Sequence, residues 1–101
     1  MNKPTLDIEK LEAAASKLRA MAHPMRLAII ELLQNGNKMN VTQIYQKLHM
    51  EQATASHHLN VLKNKKLLIS FRKGKHIYYT LQNDTLQEIM HCIDRCHKLE
   101  Q

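Results

Sequence analysis

The chain has no tryptophan, one phenylalanine, two glycines, two prolines and two cysteines, and it holds no Asp or Glu anywhere from Gln52 to Asn83. Each shortage excludes something. Cys92 and Cys96, four residues apart, lie on one helical face and cannot staple distant parts of a fold, so a secreted disulfide scaffold is ruled out. Aromatic content of 4% leaves too few rings to stack successive bases, which argues against a single-strand binder. Two glycines allow no phosphate-cradling loop, there is no nucleophile elbow, and the Cys and His residues have no partner carboxylate in an established motif. An enzyme is therefore not expected. No run reaches the roughly 18 apolar residues of a membrane span, and the opening Met-Asn-Lys-Pro followed by Asp and Glu lacks the apolar core of a secretory signal. The expectation is a cytoplasmic protein with no membrane partner.

What is present fits one globular domain over residues 1–101, with 44% hydrophobic and 24% charged residues. The net charge of +6 is concentrated. Lys63, Lys65, Lys66, Arg72, Lys73 and Lys75 all fall in the acid-free segment, and the other nine bases are matched by all nine acids. Such clustering suits a phosphate-binding surface, since each neutralised phosphate releases counterions. On charge alone, a merely solvated basic face fits equally well.

Periodicity supplies the elements. Leu6, Ile8, Leu11, Ala14, Ala15, Leu18 and Met21 recur at helical spacing, with Thr5 placed to cap the start. His23-Pro24 breaks that pattern and opens a second helix through Arg26, Leu27, Ile30 and Leu33 to the stop Asn35-Gly36. Met39 to Val41 allows one short extended pairing, after which Thr42 is the expected cap of a third helix carrying Ile44 and Leu48. A fourth helix runs from about Gln52 to Lys65 with Ala55, Leu59 and Leu62 inward. The third and fourth helices, residues 42–65, form a helix-turn-helix. Leu67 to Arg72 and His76 to Leu81 flank Lys73-Gly74-Lys75 as a hairpin over 67–81, with Tyr78 and Tyr79 on opposite sheet faces, one core and one exposed. Asn83 or Asp84 caps a last helix bearing Leu86, Ile89, Met90, Ile93 and His97. The fold class is mainly α with a β-hairpin wing: a winged helix-turn-helix of about five helices.

Four stretches carry a family resemblance across nearly the whole chain: Met21-Ala22-His23-Pro24-Met25-Arg26-Leu27, Val41-Thr42-Gln43-Ile44, Gln52-Ala53-Thr54-Ala55-Ser56-His57-His58-Leu59 with Leu62, and Arg72-Lys73-Gly74-Lys75 running into Tyr78-Tyr79-Thr80-Leu81. The sequence resembles the ArsR/SmtB family of bacterial winged-helix repressors. It departs where His49 and Lys66 replace a frequent glycine, Glu51 a frequent serine, and Tyr45 a frequent small residue. The resemblance implies a cytoplasmic regulator that binds palindromic double-stranded DNA as a homodimer, through its first and last helices (residues 1–21 and 84–101).

Gln52, Thr54, Ser56 and His57 match the family's DNA-contact positions. With Ala53 they present the short polar and methyl groups that reach base edges in a major groove. Arg72, Lys73 and Lys75 crowd an exposed turn, and phosphate contact explains them best. His58 is expected behind the helix as a hydrogen-bonding residue. A winged helix used for protein contact is the alternative, and it leaves the acid-free segment without a reason.

No cofactor is required, and any inducer is less legible. The third helix has no thiol where arsenic and cadmium or lead sensors of the family carry a cysteine motif. Asp84, His97 and Glu100 stand in register with the family's zinc site in the last helix, but Leu86 fills the first histidine position and leaves a tetrahedral set incomplete. Cys92 and Cys96 form a one-turn dithiol beside His91, Arg95, His97 and Lys98, suited to a soft metal or to oxidation. Two small apolar residues packed at a dimer seam are the alternative.

Overall fold

The computed structural model describes residues 7–82 and 85–99, which form α1 (Ile8–Met21), α2 (Pro24–Leu32), β1 (Met39–Asn40), α3 (Val41–Lys47), α4 (Gln52–Asn64), β2 (Leu68–Lys73), β3 (His76–Leu81) and α5 (Thr85–Leu99). The winged helix-turn-helix expected from periodicity is the observed arrangement, and its caps explain the boundaries. Asp7, rather than Thr5, caps α1: its carboxylate accepts from the Lys10 backbone N–H at 3.0 Å, where the helix dipole also favours a negative charge. Thr5 and Leu6 lie outside the described residues, as do Asn83 and Asp84, the expected caps of α5. Pro24 opens α2 as expected, and the ring Nδ1 of His23 accepts from the Met25 N–H at 3.1 Å.

The expected cap Thr42 is corrected to Asn40. Asn40 Oδ1 accepts from the Gln43 N–H and Gln43 Oε1 accepts from the Asn40 N–H, both at 2.9 Å, so a reciprocal capping box starts α3 two residues early. Asn40 also ends β1 opposite Tyr78, so one residue joins the sheet to the helix-turn-helix. The turns leaving α3 and α4 use left-handed residues that are not glycine: His49 has φ 54° and Lys66 has φ 60°. Each costs about 1–2 kcal/mol relative to glycine. Backbone bonds offset that cost, with Met50 N–H donating to Tyr45 and Leu67 N–H donating to Leu62, each at 3.0 Å.

Ile29, Ile30, Leu33, Ile44, Leu59, Leu62 and Leu68 are fully enclosed, and Ala20, Met21, Leu67, Leu86 and Met90 complete the core. The antiparallel sheet has strand order β1-β3-β2. Its register sets two faces: Leu68 opposite Leu81 and Ser70 opposite Tyr79 look into the core, whereas Ile69, Phe71 and Lys73 lie on the outer face opposite Thr80, Tyr78 and His76. Tyr79 packs on the core as one of the two expected orientations. Tyr78 is half-buried rather than exposed, because its ring stacks on Phe71.

Candidate nucleic-acid interface

The recognition helix α4 divides by helical period. Ala55, His58, Leu59 and Leu62 are buried, while Gln52, Ala53, Thr54 and His57 are exposed and Ser56 is half-buried. Four of the five predicted DNA-facing residues are thus open to solvent, and Ser56 lies at the margin of the polar face. Glu51 is the N-cap but makes no side-chain capping bond.

Behind this helix stands a polar cluster whose extent the sequence did not disclose. Buried His58 accepts at Nδ1 from Arg26 Nε at 3.2 Å, and a second Arg26 nitrogen donates to the Ala20 carbonyl at 3.1 Å. The His23 ring lies 4.6 Å from that of His58, and the His57 ring 5.7 Å. Burial, followed by the nearby His23, Arg26 and His57, pushes the His58 pKa below its ordinary value. A neutral imidazole is what the Arg26 bond requires, since only that form has an acceptor nitrogen. The His-Pro-Met-Arg stretch was the available signal, but it gave no indication that its histidine and arginine meet the recognition helix.

The wing cations do not form one patch. Gly74, at φ 65°, makes the tight turn, with Lys73 paired to His76 on either side. Strand alternation places Arg72 on the core-side face and Lys73 on the outer face, with Lys75 in the turn itself. All three are exposed.

The candidate effector residues that are described all lie on α5. Cys92 and Cys96 are both exposed free thiols on the outer half of α5. His97 is on the same half, whereas Asp84 and Glu100 lie outside the described residues. Leu86, at the position of the family's histidine ligand, is buried in the core. Among the described residues, no group of three or more His, Cys, Asp or Glu side chains is arranged to hold a metal. Likewise, no described helix is long and apolar enough to cross a membrane.

Exposed apolar side chains collect on α1 and α5. Leu11 is 51% exposed, Leu18 56% and Ile93 41%, and a groove of about 280 Å³ is lined by Leu18, Met21, Ala22, Leu27, Ile89 and Ile93.

Comparisons with known proteins agree with this geometry. Residues 23–70 match the family described as bacterial regulatory protein, arsR family. The transcriptional repressor PagR of Bacillus anthracis is 40% identical over 85 residues, covering 84% of this chain and 85% of its own. Its crystal structure superposes with a TM-score of 0.77, covering 86% of this chain and 99% of that one. The HTH-type transcriptional regulator NmtR of Mycobacterium tuberculosis is 36% identical over 91 residues, 88% of this chain and 75% of its own. NolR from Sinorhizobium fredii is 30% identical with a TM-score of 0.80, over 94% of this chain and 96% of that one. With the helix-turn-helix, the wing and relatives of this similarity over most of both chains, the protein belongs to the arsR family of bacterial regulatory proteins and is a DNA-binding transcriptional regulator, not an enzyme.

Proposed function

We propose that the protein is a cytoplasmic repressor that binds a palindromic operator as a homodimer, with α4 in the major groove and the wing along the phosphate backbone. The observation that carries the reading is the division of α4 into a buried apolar face and a polar face bearing Gln52, Ala53, Thr54, Ser56 and His57. The acid-free segment supplies the complementary charge, through Arg72, Lys73 and Lys75. Exposed Leu11, Leu18 and Ile93 support pairing of α1 and α5 with a second copy, which sets two recognition helices about one DNA turn apart. Duplex binding titrated against salt tests this. Affinity should drop steeply as salt rises, and binding that is flat with salt, or equal for single strands, overturns the reading.

Release would act through α5. At about 100° per residue, Leu86 and Met90 face the core, and Ile93, Ile89, Cys96 and Cys92 follow in turn around the helix away from it. A thiol-directed or soft-metal signal at Cys92 and Cys96 therefore acts beside the pairing surface. Zinc at Asp84, His97 and Glu100 has a smaller effect, because Leu86 occupies the core in place of a fourth ligand. The check is operator affinity of wild type and the Cys92→Ser, Cys96→Ser double variant, with and without oxidant, cadmium and zinc. Cadmium or oxidant should weaken the wild type alone; a wild type indifferent to all three assigns the cysteines to packing.

A further inference from the structure

The outer face of the sheet carries a recess that DNA reading by α4 does not use. Lys38, just before β1, Phe71 and Lys73 on β2, and Tyr78 on β3 line about 290 Å³ of open space. Phe71 and Tyr78 are directly opposed in the ladder, and their rings stack with centroids 5.7 Å apart and planes 18° from parallel. The Lys38 ammonium sits 5.8 Å from the Phe71 centroid, and the edge of His76 meets Tyr78 at 6.4 Å. Phe71 remains 36% exposed, and exposed Ile69 precedes it on the same face.

This combination is chemically selective. The exposed ring surface offers an apolar wall for a flat ligand, and aromatic pairs in offset-stacked or edge-to-face contact gain attraction beyond their buried area, which an aliphatic ligand forgoes. The two ammonium groups favour a negative charge, and no carboxylate occurs anywhere in the two strands to compete for them. The volume stands at the lower end of small-molecule sites, roughly 300 Å³, which selects one or two fused rings. We propose that the recess formed by Lys38, Phe71, Lys73 and Tyr78 binds a small planar aromatic anion, and that its occupation competes with operator DNA for Lys73. The site stands without the DNA reading; the competition rests on it. A bound anion neutralises one wing cation, so DNA loses a phosphate partner and the operator is held less tightly.

The probe is 2-naphthoate, with naphthalene-2-methanol as the ring without charge and cyclohexanecarboxylate as the charge without the aromatic ring. Equilibrium dialysis of the full chain should give binding of 2-naphthoate at least fivefold tighter than either control. Ring and amide NMR shifts should centre on Phe71, Tyr78 and Lys38. Lys38→Ala and Phe71→Leu should each weaken naphthoate binding at least fivefold while the remaining amide spectrum stays folded. Equal binding of all three compounds, unaltered binding by both variants, or shifts centred on Leu18 and Ile89 overturns the site. Operator affinity is measured first without probe, which tests the DNA reading separately. With probe it should fall severalfold in wild type and stay constant in Lys38→Ala; no change in wild type overturns the competition.

Discussion

His58 shows how one side chain ties the recognition helix to the rest of the protein. Its ring is buried, accepts from Arg26, and is flanked by His23 and His57, so the folded state disfavours its protonation. In the unfolded chain it titrates at its ordinary value of 6.5. Between that value and the lower folded one, the unfolded state binds more protons, and stability therefore rises with pH across the window. The contribution is complete above the unfolded pKa and is lost as pH falls from there towards the folded pKa. Urea midpoints measured from about pH 7.5 down to about pH 5 should decline. A His58→Gln variant should show a shallower decline, because its amide oxygen accepts from Arg26 without titrating; an unchanged slope would remove His58 as the cause.

Asn40 acts on the same scale through a different force. It closes the capping box of α3 and pairs with Tyr78 in the sheet. Asn40→Ala should destabilise the fold by about 1 kcal/mol, read as a lower urea midpoint with an unchanged slope. Thr42→Ala should cost much less, since Thr42 lies inside the helix and not at its cap.

Among the elements, helix and wing have separable duties. Gln52→Ala or Ser56→Ala should cost about 1–3 kcal/mol against the cognate operator and relax preference at one base position. Arg72→Ala and Lys75→Ala should weaken all duplexes alike and lower the salt slope by about 0.9 for each phosphate left without its cation. Competition binding against randomised half-sites at two salt concentrations separates the two outcomes. Wing variants that shift base preference while helix variants do not would reverse the assignment. Strand alternation adds a distinction that charge could not give: Arg72 and Lys73 are neighbours in sequence but project from opposite faces of β2.

For the molecule as a whole, α1 and α5 expose more apolar surface than one chain covers. Leu18 borders the groove with Ile89 and Ile93 and is more than half exposed. Leu18→Glu and Ile93→Glu should yield folded monomers, because neither side chain is needed to close the core. Sedimentation should show the lower mass, circular dichroism an unchanged helix content, and operator binding a large loss, since one half-site offers only part of the interface. Variants that remain dimeric would place the seam elsewhere.

The order of the elements and the polar face of α4 were readable from the chain alone, because both follow from short-range periods: 3.6 for helices, 2 for strands, and Pro24, Gly36 and Gly74 as punctuation. The location of the charge was readable too, being a matter of counting. Cap identity was only partly legible. Thr42 and Asn40 are both capping residue types, and the choice fell to Asn40 because it also meets Tyr78 across the sheet. Whatever depends on distant residues was settled by packing. His23 and Arg26 meet His58 across more than thirty positions, and Lys38 comes to rest over Phe71. Such meetings are set by how helices and strands pack on one another, and no local pattern encodes which side chains that packing brings together.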